Sequence, residues 1–101
     1  METTITSRHG EIADQLRTRA ETVVERLAKI AIRPTAAHVT FGVDHQRSTA
    51  EIRLTAARGA VHVASAEAAD HRTALDRAVA KLRRQLDKKE AHPRRRAAAG
   101  R

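Results

Sequence analysis

The sequence has no cysteine, no tryptophan, no tyrosine and a single phenylalanine, Phe41. Without cysteine there is no disulfide framework, no thiol nucleophile and no cysteine-zinc site. One aromatic ring cannot make a platform for stacking unpaired bases, which needs several exposed rings. The four glycines, Gly10, Gly42, Gly59 and Gly100, are scattered and form no phosphate-cradling loop. No apolar run approaches ~20 residues, so no membrane span is expected. The N-terminal stretch METTITSRHG lacks the apolar core of a signal peptide, which points to a cytoplasmic protein.

What the chain has in excess is positive charge. Twenty Lys and Arg against twelve Asp and Glu give a net charge of +8 over 101 residues, a length that suits one domain. The excess is uneven. Residues 1–69 carry nine basic and eight acidic side chains, whereas residues 70–101 carry eleven and four. A basic surplus gathered in the last third suits a polyanionic partner, nucleic acid before an anionic membrane surface.

Hydrophobic periodicity lays out the elements. Thr3 to Ser7 is β-branched and ends at Arg8-His9-Gly10, as a short strand would. Ile12, Leu16, Ala20, Val23, Leu27 and Ile30 recur at helical steps and predict a helix over about 11–31, stopped by Pro34. Alternation predicts strands over His38–Asp44 and Arg47–Ala57, joined through Asp44-His45-Gln46. A fourth strand over Ala60–Glu67 follows the Arg58-Gly59 turn. Period two cannot decide whether Val61 and Val63, or His62, Ala64 and Ala66, face the core of that strand. Asp70 then caps a second helix, with Leu75, Ala78, Val79, Leu82 and Leu86 as its stripe, ending near Lys89. The expected architecture is α+β, β-α-β-β-β-α, a four-stranded sheet with two helices on one face. Residues 1–90 form this domain, and 91–101, with Pro93 and the triplet Arg94-Arg95-Arg96, are expected to be a disordered basic tail.

The second helix carries the most chemical information. Arg77, Lys81, Arg84 and Lys88 step by four, three and four along one face, and Arg72, Arg83 and Lys89 widen the band. Such a row matches the spacing of phosphates along a nucleic-acid backbone. A solvated helix face reads the same way, and the scarcity of intervening acids favours binding. Arg8 and His9, at the end of the first strand, form a second polar pair able to meet phosphate. The six histidines include no pair one helical turn apart, so no metal site is expected. No serine lies in a nucleophile motif, and Asp70 and Asp76 have plainer roles: a helix cap, and a partner for Arg72 one turn earlier. No enzyme chemistry, cofactor or small-molecule substrate is indicated.

The chain resembles the hibernation-promoting factor / ribosome-associated inhibitor family. The resemblance rests on Ile5-Thr6-Ser7-Arg8-His9, on Ala64-Ser65-Ala66-Glu67, and above all on Asp70-His71-Arg72-Thr73-Ala74-Leu75-Asp76 followed by Lys81-Leu82-Arg83-Arg84-Gln85-Leu86. It covers about residues 3–90. It implies a fold similar to double-stranded-RNA-binding domains. It also implies binding to the small ribosomal subunit and its ribosomal RNA, in the channel shared by messenger and transfer RNA, where occupancy blocks translation and preserves idle ribosomes. The family's basic helix positions fall on Lys81, Arg84 and Lys88, and its strand-end pair on Arg8 and His9. Its register favours His62, Ala64 and Ala66 facing the core. Arg72 replaces the usual aromatic, and Asp87 and Glu90 replace positions often basic. Longer members carry a second domain that dimerises ribosomes; this chain ends before one, so that route is not expected of it.

The expected function is therefore a ribosome-associated translation inhibitor that binds ribosomal RNA through Arg8, His9, Arg72, Arg77, Lys81, Arg84, Lys88 and Lys89. The alternative is a general nucleic-acid-binding stress protein without ribosome preference. A third reading is a protein-interaction module using the open sheet face or Val61 and Val63.

Overall fold

The computed structural model describes the backbone of residues 1–99 and the side chains of residues 1–87. The elements run β1 (Glu2–Ser7), α1 (Asp14–Ile30), β2 (Pro34–Asp44), β3 (Arg47–Ala56), β4 (Val61–Ala68) and α2 (His71–Ala99), with a 3-10 turn at Ala57–Gly59. The strands form one sheet in the order β1-β2-β3-β4. β1 pairs parallel with β2 through the α1 crossover, and the other pairings are antiparallel. This is the expected β-α-β-β-β-α arrangement.

Period two places alternate side chains on opposite faces of the sheet. One face gives the core its Ala37, Val39, Phe41, Ala50, Ile52, Leu54, Ala64 and Ala68. Ala20, Val24 and Leu27 of α1 and Leu75, Ala78, Leu82 and Leu86 of α2 complete one cluster, so both helices cover that face. His62 is buried on the same side while Val61 is exposed, which settles the β4 register in favour of the histidine set. The other face carries Thr6, His38, Thr40, Glu51, Arg53 and Ser65, paired across the strands and without a covering layer.

Element ends differ from the periodicity in physically intelligible ways. α1 begins at Asp14 rather than near Glu11, because its N-cap position, Ala13, is extended and offers no side-chain cap. Ile12 still packs against the core from outside the helix. Arg33 lies beyond the end of α1 in the left-handed region (φ 50°), and β2 begins at once at Pro34. A proline is tolerated at the first residue of a strand. The β2–β3 hairpin turns on His45 and Gln46, both left-handed, between the paired Asp44 and Arg47. That is a two-residue loop with the handedness matching sheet twist.

The largest departure concerns the end of α2. The backbone stays helical to Ala99, through Pro93, where the leucine stripe predicts an end near Lys89 and the composition predicts a disordered tail from residue 91. The expectation of a disordered basic tail over 91–101 falls on side chains outside the described residues. The segment is rich in alanine and arginine, both strong helix formers, which lets the helix run on despite the proline. Gly100 and Arg101 lie outside the described residues.

Leu82 is fully buried at the centre of the α2 stripe. Leu82→Ala is expected to destabilise the domain by about 2–5 kcal/mol, the usual cost of emptying a leucine site. Urea denaturation measures it as a lower midpoint with an unchanged slope.

Candidate nucleic-acid interface

α2 starts where the sequence predicts. Asp70 accepts the Thr73 backbone N–H at Oδ1 (2.8 Å) and the Thr73 hydroxyl at Oδ2 (3.0 Å). These hydrogen bonds, the backbone one foremost, hold the Asp70 carboxyl below the usual aspartate range. His71 follows and turns inward: its Nε2 donates to the Gly42 carbonyl (2.8 Å), and its ring meets Phe41 edge-on at 5.5 Å. The helix is thereby tied to the end of β2.

From there α2 runs antiparallel to β4, the last strand of the sheet. Arg77 Nη1 donates to the Glu67 carbonyl (3.0 Å), Lys81 Nζ to the Ser65 carbonyl (2.9 Å) and Gln85 Nε2 to the Val63 carbonyl (2.8 Å). Four residues of α-helix rise about 6 Å, and two residues of strand about 6.7 Å. The i, i+4, i+8 side chains therefore fall in step with alternate carbonyls. An edge strand's unpaired carbonyls are a pairing hazard, and here donors from the helix cover them.

Arg77, Lys81 and Arg84 lie within an arc of about 60° at the helical pitch. None of the three forms an ion pair with a carboxylate among the described residues. Arg77 and Lys81 are held in place by backbone carbonyls, which leave their charges uncancelled. Arg8 approaches from the opposite side of the sheet. β1 leaves β2 after the Arg8 N–H donates to the Phe41 carbonyl (2.9 Å), and His9 Nδ1 accepts the Val43 N–H (3.1 Å). Arg8 and Lys81 thus line one shallow depression of about 370 Å³ on the open sheet face, with Thr40, Thr49, Glu51 and Ser65 between them. Asp44 and Glu67 also border it, so the charged groups between its cationic walls are carboxylates. Glu67 is partly occupied by Arg47, at 3.5 Å.

Two expectations need correction. Arg72 is about 140° around α2 from Arg77 at the helical pitch. It lines a separate depression on the α1 side with Gln15, Leu16 and Arg19. The widening of the cationic band by Arg72 is therefore not realised; the residue two positions after the cap must fall on the helix's other flank. Asp76 does not pair with Arg72 either. It takes a two-pronged contact from Arg19 of α1, Nε to Oδ1 at 2.9 Å and Nη2 to Oδ2 at 3.0 Å. The planar guanidinium fork matches a carboxylate in a way a helical neighbour cannot improve on. The side chains of Lys88 and Lys89 lie outside the described residues.

Gln85 and Gly42 were not singled out from the sequence. Gln85 shares the four-residue step of Arg77 and Lys81, which is its legible signal. Gly42 is an isolated glycine within a strand, a mark of close approach by other groups. A Cβ there would stand 3.0 Å from Thr49 Oγ1 and 3.7 Å from Arg8 Cδ.

A family model described as sigma 54 modulation protein / S30EA ribosomal protein matches residues 3–92. The chain belongs to this family. Among solved structures, the fold is similar to a ribosomal subunit interface protein from Coxiella burnetii. The TM-score is 0.77 at 23% identity, over 90% of this chain and 99% of that one. It is also similar to the N-terminal domain of Protein Y from Thermus thermophilus. There the TM-score is 0.74 at 28% identity, over 87% of this chain and 98% of that one. Among curated proteins no sequence matches the chain. No helix among the described residues is long and apolar enough to cross a membrane.

The Asp70 cap gives a pH signature with a definite sign. Its folded-state pKa is lowered, so the cap's contribution is present above the ordinary carboxylate pKa and lost as pH falls through the lowered value. The gap in Tm between wild type and Asp70→Ala should be full at pH 7 and close at strongly acidic pH. A gap that persists unchanged into strong acid contradicts the ionised cap.

Proposed function

We propose that the protein is a ribosome-associated inhibitor of translation. It docks on small-subunit ribosomal RNA, in the channel shared by messenger and transfer RNA, by gripping phosphates with Arg8, Arg77, Lys81 and Arg84. The observation that carries this reading is the meeting of Arg8 and Lys81, from opposite ends of the chain, as walls of one depression on an uncovered sheet face. Membership of a family described as ribosomal supports the partner. The name of a similar structure, a ribosomal subunit interface protein, supports association with the ribosome.

The action needs no bond making. A folded domain seated in the channel excludes the ligands that must pass through it, and idle ribosomes are held in store. Selectivity comes from shape. Phosphate contacts carry no sequence information, and the single phenylalanine, Phe41, is buried and not available for stacking bases. The carboxylates of Asp44, Glu51 and Glu67 between the walls add to this, since they repel a phosphate laid flat across the floor and leave the rims as its seats. Lys88 and Lys89 would add further phosphate contacts. A partner of this kind places the protein in the cytoplasm, where it acts in the response to stress.

Co-sedimentation with small ribosomal subunits tests the proposal. Log affinity should fall with log salt by roughly 0.7–0.9 per phosphate contacted. Lys81→Glu with Arg84→Glu should abolish the complex, and excess duplex DNA should not displace the wild type. Displacement by duplex DNA would favour a general nucleic-acid binder instead.

A further inference from the structure

The bend after β1 leaves a particular group without its natural partner. In a parallel pair that continued past Arg8, the Val43 N–H would find a carbonyl of β1. Instead the chain turns away, with Gly10 left-handed (φ 82°), and the imidazole of His9 fills the vacant rung. An amide N–H only donates, so Nδ1 must be the bare nitrogen of the ring. In the neutral ring the hydrogen then sits on Nε2. His9 is exposed, and its Nε2 has no partner among the described residues.

We propose that His9 is a tautomer-locked, uncharged hydrogen-bond donor, positioned by Val43 to offer Nε2–H to an acceptor oxygen of the RNA backbone beside the Arg8 contact. This rests on the RNA-binding reading given above and adds the chemical form in which His9 takes part. A strand-end cap alone needs only an acceptor; the distal donor is a second capacity, aimed outward next to a cation that lines the depression. Both residues lie against the bare backbone of Gly42: a Cβ there would stand at ordinary contact distance from Arg8 Cδ (3.7 Å) and His9 Nδ1 (3.8 Å), and tight only against Thr49 Oγ1 (3.0 Å). Arg8 supplies charge, and His9 supplies direction without charge.

Two substitutions separate the two ends of the ring. In His9→Asn the side-chain carbonyl stands where Nδ1 was and keeps the Val43 bond, but the distal donor is gone. In His9→Gln the amide NH2 approximates Nε2, but the anchor to Val43 is gone. Binding to small ribosomal subunits is measured as a function of salt, with thermal unfolding to confirm that each variant is folded. His9→Asn should bind about tenfold more weakly than wild type, with the same slope of log affinity against log salt, and His9→Gln should fall between them. Long-range proton–nitrogen NMR on the free wild-type protein should show Nδ1 bare and Nε2 protonated. Wild-type affinity in His9→Asn, a salt slope reduced by about one in that variant, or the opposite tautomer would each overturn the proposal. Failure of the wild type to bind subunits at any salt would instead overturn the ribosome reading and this contact with it.

Discussion

The match in pitch between α2 and β4 is the constraint on which the molecule turns. A helix laid antiparallel along a strand keeps step with alternate residues every four positions, and α2 exploits this three times in succession, at Arg77, Lys81 and Gln85. The same register points Leu75, Leu82 and Leu86 into the sheet. One rotational setting of one helix therefore supplies its leucines to the core, caps three carbonyls of the edge strand and fixes Arg77 and Lys81 beside it. Rotating the helix by a single residue would undo all three, which is why the Asp70 cap and the His71 tie to Gly42 at its start carry so much weight.

The electrostatic design follows from what the cations are tied to. A carboxylate partner would have cancelled their charge, as Asp76 does for Arg19. A carbonyl partner restrains the side chain and leaves the charge intact. On the opposite wall, Arg8 is carried by a backbone bond at the end of β1 and not by an acid. The depression between the walls is polar and partly acidic, so its field is strongest at the rims. Under the proposed RNA-binding function, a polyanion would be gripped along two lines, not across a plane, which suits a grooved and folded nucleic acid better than an extended strand.

Much of this was legible in the amino-acid sequence. Alternation and helical periodicity are direct consequences of side-chain geometry, so the element order and the leucine stripe could be read off. Asp70 announced itself as a cap because its residue type and place have one economical use. The β4 register could not be had from periodicity, since His62 and Val61 compete for the same face; the family resemblance pointed to the right answer. Long-range partners stayed hidden. Asp76 had a helical neighbour in Arg72, and nothing local reveals that Arg19 of another helix presents a better fork. Arg72 looked like part of the basic band because counting charges ignores the half-turn separating it from Arg77. The continuation of α2 across Pro93 was masked by a residue that usually ends helices.

The pairing of β1 with β2 has a consequence for how the protein comes into being. Glu2 sits opposite Ala36 and Ser7 opposite Phe41, so the first strand made has no neighbour until the chain has lengthened past the middle of β2. The far wall arrives later still, with Lys81. No fragment released early by a stalled or aborted synthesis carries both walls of the depression. Both walls are present only once synthesis has passed Lys81.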